Sequence, residues 1–161
     1  MLQYVLHVHA LNLGFATRLV KDLSDDQMCA QPHGLVNHPA WSLGHLAVAA
    51  NAAGVTLGLT SALPAGWEET FKTGGIPTAD KAAFPGKDDI LRVLAEQHAR
   101  NAQALSNADP AALAVPHPNE KRRGHFPTVG DFAIFLMTAH EMDHLGQIAA
   151  WRRAMGLPTP A

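Results

Sequence analysis

Apolar residues recur along this chain at three- and four-residue intervals, and no stretch alternates apolar with polar positions as a half-buried strand would. Leu2, Leu6, His9, Leu13, Ala16 and Val20 fall on one face, which predicts a helix from about Leu2 to Leu23. A second helix is expected from Pro39 or Ala40 to about Leu59, with Pro39 in the first turn, where a missing N–H costs nothing. A third starts at Asp88 or Asp89 and presents Ile90, Leu91, Leu94, His98 and Leu105 before "SNADP" ends it. Thr128 and Asp131 make a capping box with Asp in place of Glu. From there the apolar period runs unbroken to Met155, where Gly156 and Pro158 supply the stop. Four rods of about 20 residues, each roughly 30 Å long, predict an all-α fold. The expected architecture is a four-helix bundle with long loops between helices 2 and 3 and between helices 3 and 4, a single domain over 1–161.

Both long connections have character. Residues 60–87 are rich in Gly and Pro yet carry Trp67, Phe71 and Phe84, which predicts a packed cover rather than a free tether. Trp67 reads first as a packing anchor, with a substrate-facing aromatic as the alternative. The second connection, 107–127, contains a short helical turn at 110–114 and the basic run Lys121-Arg122-Arg123.

Composition narrows the function. Lys plus Arg number 12 and Asp plus Glu 14 in 161 residues, a net charge of −2, and no basic run is long enough to track a phosphate backbone, so no nucleic-acid partner is expected. Lys121-Arg122-Arg123 is read as a solvated loop, or as an attractor for the carboxylates of a low-molecular-weight thiol. A lone cysteine, Cys29, forms no internal disulfide and favours a reducing, cytoplasmic setting; with no basic neighbour it reads as an inert small hydrophobe. The opening residues lack a cationic leader. The longest apolar stretch, residues 43–59, carries His45 and Asn51 and reads as a buried helix rather than a membrane span.

Ten histidines change the picture. His140-Glu141-Met142-Asp143-His144 has the H-E-x-x-H spacing of zinc proteases, and residues four apart lie about 40° apart around a helix, close enough to share one cation. The protease extension would need Gly at 147 and His at 150, where the chain has Gln147 and Ala150, and no Asp, Glu or His follows His144. A third ligand must come from upstream. His45 lies inside a helix on a face with Trp41, Val48, Ala49 and Ala52; His9 and His98 also occupy apolar helix faces. These two are expected as hydrogen-bonded core histidines, with a place beside the metal as the alternative. His7, His33, His38, His117 and His125 read as solvated loop or terminal residues. Gln147 continues the ligand stripe, and touching metal-bound water or capping a buried carbonyl are even expectations. Glu141 and Asp143 flank the stripe, where exposed surface acids are expected; Glu141 and Gln147 are the weak catalytic candidates.

"NHPAWSLGHLAVAAN" (37–51) followed by "HEMDHLGQ" (140–147) resembles the DinB-like superfamily of metal-binding four-helix proteins, and "LPAGWEETFKTGGIP", "FPGKDDILRVL" and "GHFPTVGDF" sit in the expected order between them. The resemblance covers nearly the whole chain. It implies metal ligation by His45, His140 and His144, a divalent cation with zinc or nickel foremost, open water positions, and a homodimer. Characterised members include thiol S-transferases that use bacillithiol or mycothiol and a mycothiol-dependent isomerase, and many others are classed as metal-dependent hydrolases. It therefore implies an enzyme acting on a small molecule through an activated thiol or water. The alternative is a non-catalytic metal or small-ligand binding protein.

Overall fold

The computed structural model describes residues 2–160, and among them helices and their connections make up the whole fold. The only strand-like pairing among the described residues is an isolated antiparallel bridge between Pro116 and Thr128. The all-α expectation holds. In chain order the helices are α1 (Leu2–Val20), α2 (Asp25–Met28), α3 (Pro39–Thr56), α4 (Trp67–Thr70), α5 (Lys87–Ser106), α6 (Pro110–Leu113), α7 (Val129–Met137) and α8 (Ala139–Ala154). Among the described residues no helix is long and apolar enough to cross a membrane.

Helix α3 is the axle. Apolar residues occupy almost its entire circumference, from Ala40 and Leu43 to Ala50 and Ala53, as a helix surrounded by protein requires. It packs against α5 on one side and α7 and α8 on another, while α1 lies against α5 and α8. Pro39 takes the first turn as expected, and the residue before it caps the helix: His38 Nδ1 accepts the Trp41 backbone N–H at 3.2 Å. With Nδ1 accepting, Nε2–H donates to the Thr78 carbonyl at 3.0 Å, so His38 is fully buried rather than solvated. His117 is likewise buried, its ring set edge-on to Phe132.

Three elements depart from the expected boundaries, the slightest being α3, which ends at Thr56 rather than near Leu59. The first helix ends at Val20, and a separate turn, α2, follows behind a Ser24–Gln27 capping box in which side chain and backbone bond reciprocally. The largest departure is at the other end of the chain. The expected continuous fourth helix is two helices, α7 and α8, divided at Thr138, whose backbone lies at φ −134° and ψ −80°. The Thr128–Asp131 capping box does open α7 as read. The break resets the rotational register of everything after it.

The 60–87 connection is a packed cover. Trp67 and Phe71 are buried, Phe84 packs against the same cluster, and Asn51 ties the segment down through the Ala62 N–H and the Ser61 hydroxyl. Cys29 is buried too; burial, reinforced by Asp25 and Asp26, pushes its thiol up, as an inert side chain requires.

Candidate metal centre

His45 sits at the seventh residue of α3, where the helix is enclosed on all sides, and its ring is held at both ends. Nδ1 lies 2.8 Å from the Phe71 carbonyl, an acceptor only, so Nδ1 carries the proton and Nε2 the lone pair. The Trp41 indole stacks on the ring, 5.0 Å between centroids and 9° from parallel. One turn of sequence explains how Phe71 gets so close. A Cβ on Gly44 would lie 2.2–2.5 Å from the Phe71 ring, so only glycine at this position admits the aromatic whose carbonyl orients the next residue's imidazole.

His140 and His144 project from the first two turns of α8 towards the same point. His45 Nε2 and His140 Nε2 are 3.2 Å apart, and the ring centroids of His144 lie 4.8 Å from His45 and 4.7 Å from His140. One nitrogen from each residue falls within 4.8 Å of the others. Two lone pairs facing each other across 3.2 Å repel unless a proton or a cation lies between them. Two metal–nitrogen bonds of about 2.1 Å put their nitrogens roughly 3.0–3.4 Å apart for angles between 90° and tetrahedral, so the observed gap suits shared coordination. His144 Nδ1 is buried with no hydrogen-bond partner.

Electrostatics favour the ligand form. Burial lowers the pKa of His45, with the Phe71 carbonyl partly opposing it. Burial and the neighbouring His45 lower that of His140. His144 is pushed down to about 4 by burial and then by His45 and His140. Near neutral pH all three are uncharged imidazoles, the state that binds a cation. The donor set and geometry fit a divalent metal ion.

A family model, that of the DinB superfamily, matches residues 16–148. The chain belongs to the DinB superfamily. No curated protein and no solved structure matches it. The matched span includes all three histidines of the cluster, which this DinB protein brings together from two helices far apart in sequence.

The remaining sequence-derived candidates have partners of their own. Gln147 accepts from Asn37 Nδ2 and donates to Asp143 Oδ2, both at 3.1 Å, so it bridges the two motif segments through side chains rather than capping a carbonyl. Glu141, expected as an exposed acid at the edge of the site, is only 2% exposed. From the first turn of α8 it packs against α1 and α5. There it accepts from Asn12 Nδ2 at 2.9 Å and lies 2.9 Å from His98 Nε2 and 3.2 Å from His9 Nδ1. Burial pushes its carboxyl up, but the hydrogen bonds from His9 and His98 outweigh that and hold the pKa below its ordinary value.

His9, His98 and Glu141 also meet the distance requirement for a cation, but their geometry opposes one. The two imidazoles stack 3.8 Å apart and 3° from parallel, so their in-plane lone pairs run side by side instead of converging. His9 Nδ1 also faces the Met137 carbonyl at 3.0 Å and must carry a proton there. The trio is a buried hydrogen-bonded cluster, as expected for His9 and His98. Three contributors escaped the sequence reading. Phe71 acts through a backbone carbonyl, which no residue type announces. Asn12 was legible as a polar residue on an apolar face. Arg152 is buried and grips Asp22 with two nitrogens, at 2.7 and 2.8 Å, an ion pair spanning 130 residues of sequence.

Proposed function

We propose that this DinB protein is a metal-dependent enzyme in which His45, His140 and His144 hold one divalent cation, zinc or nickel foremost, for transfer to or hydrolysis of a small molecule. The observation that carries this reading is the convergence of three neutral imidazoles from α3 and α8, with the His45 tautomer fixed by the Phe71 carbonyl. Bound there, such a cation lowers the pKa of a coordinated thiol or water and supplies a nucleophile near neutral pH.

The chain's own residues do the rest. His45 is clamped between Trp41 and the Phe71 carbonyl, so its lone pair is aimed before any cation arrives. The 60–87 segment and the Trp67–Phe71 pair wall off the α3 side. On the other side a cavity of about 370 Å³ reaches His45 and His140, which gives a small molecule a route to the cluster. Three ligands beside an accessible cavity describe a catalytic rather than a closed structural centre. We read the helices as a four-helix bundle whose fourth rod is divided, forming a single domain, and the homodimer and cytoplasmic setting implied earlier stand as part of this proposal.

The test is turnover under metal control. With low-molecular-weight thiols and small electrophiles, and with small esters and amides, activity is expected that vanishes on chelation and returns with added zinc or nickel. Stoichiometric metal with no turnover across these panels would instead support the non-catalytic metal-binding reading.

A further inference from the structure

The cavity beside the cluster has two chemically distinct ends. Its walls come from α3 and α7, where Ala49 and Ala52 leave the space that Phe132, Phe135 and Leu136 line, and Phe126 closes one side from the preceding loop. These rings touch one another: Phe126 is 5.2 Å from Phe132 and 4.8 Å from Phe135, centroid to centroid. At the inner end stand His45 and His140. At the mouth stand Lys121 and Arg122, and among the described residues no carboxylate lines any part of the cavity.

The basic run is not uniform. Arg123 turns away, its Nε donating to the His117 carbonyl at 2.7 Å and its Nη1 pairing with Glu120. Arg122 instead lays its guanidinium over the Phe132 ring, 4.8 Å from the centroid, which holds it at the mouth with its N–H edge free. Among the described residues neither Lys121 nor Arg122 has an acidic partner. A guanidinium and an ammonium at the rim of an apolar cavity attract an organic anion, and the flat aromatic lining suits a planar apolar body.

We propose that this cavity is the substrate pocket for a small organic anion with a planar apolar body: the anionic group at Lys121 and Arg122, the body among Phe126, Phe132 and Phe135, and the reacting end at His45 and His140. The assignment of the reacting end rests on the metal-centre reading above; the anion selectivity does not. About 370 Å³ lies near the lower end of the roughly 300–1,000 Å³ typical of small-ligand sites, which restricts the occupant to something of single-ring size. Lys121 and Arg122 are thus specificity-determining residues, reading charge at one end while the chemistry proceeds at the other.

Binding of phenylacetate and of its uncharged counterpart, phenethyl alcohol, tests this in the whole protein, titrated by NMR both after chelation and after zinc loading. The expected result is an about tenfold preference for phenylacetate in the chelated protein, abolished in the Lys121→Met/Arg122→Met double variant with little change for the alcohol. Both positions are exposed, so the variant retains its fold, checked by circular dichroism. Equal affinity for the two probes, or a preference that survives the double substitution, would overturn the proposal. So would phenylacetate binding that appears only with zinc and ignores the substitutions, since the carboxylate would then be a metal ligand. Failure of the metal reading registers separately, as absence of zinc uptake, and leaves the chelated arm decisive.

Discussion

At the scale of residues, the arrangement depends on what orients His45. Its Nδ1–H must find the Phe71 carbonyl, and Phe71 can reach that position only because residue 44 lacks a side chain. Gly44→Ala would force a methyl into the aromatic ring. It is expected to cost about 1–3 kcal/mol in urea-induced unfolding and to weaken zinc binding by displacing the carbonyl. Unchanged stability and affinity would show that the Phe71 contact is dispensable. The Glu141 cluster makes the opposite prediction. Glu141→Gln removes the charge and one of the two acceptor oxygens that His9, His98 and Asn12 share and sets an amide NH2 group against buried donors, costing about 1–3 kcal/mol, with one zinc per chain still bound. Loss of zinc from that variant, while folded, would draw Glu141 into the metal site. That His140 and His144 face one point was legible from their four-residue spacing. The burial of Glu141 was not, because the partners that receive it, His9 and Asn12 on α1 and His98 on α5, lie far from it in sequence.

At the scale of elements, the division of the fourth rod at Thr138 has a definite cause. No proline or glycine lies between Phe132 and Leu145, so nothing in the local pattern stops the helix at Thr138. The break is held locally by the Thr138 hydroxyl, which donates to the Ile134 carbonyl at 2.6 Å, and from outside by α1. His9 Nδ1 donates to the Met137 carbonyl at 3.0 Å, a group the interrupted helix leaves free, and Asn12 Nδ2 adds a second donor, at 3.1 Å, to the Thr138 carbonyl that already accepts the Met142 N–H. Long-range partners on α1 override a continuous local period, and a single-helix pattern cannot reveal them. The other end of α1 is tied by charge. The Arg152 guanidinium, buried against the Leu19 and Pro158 carbonyls, holds the Asp22 pKa down at about 2. A carboxyl lowered on folding contributes stability that is whole above its unfolded pKa, near 3.8, and drains away as pH falls towards 2. Asp22→Asn should therefore lower the urea midpoint at pH 6, and the gap from wild type should narrow as pH drops below about 4. A gap independent of pH would mean that the Asp22 charge does not matter.

At the scale of the whole molecule, the helical class, the centrality of the second long helix and the packed nature of the 60–87 segment were all readable. Each follows from many residues acting together: apolar residues around the full circumference of α3, and aromatics in a loop that had no other reason to carry them. Their joint result is an enclosed α3 flank meeting an accessible α7 flank, with the histidine cluster at the boundary. His140→Ala and His144→Ala should each lose most bound cation while keeping helical circular dichroism, because the core clusters around α3 do not depend on these side chains. If both unfold outright, the cation is a structural staple and the catalytic account fails. The most direct measurement concerns the ligand contributed from the far side. Elemental analysis of wild type beside His45→Ala, both folded and purified without chelator, should find about one divalent cation per chain in the first and little in the second. Metal retained unchanged in the variant, or none in wild type supplied with zinc and nickel, would contradict the account.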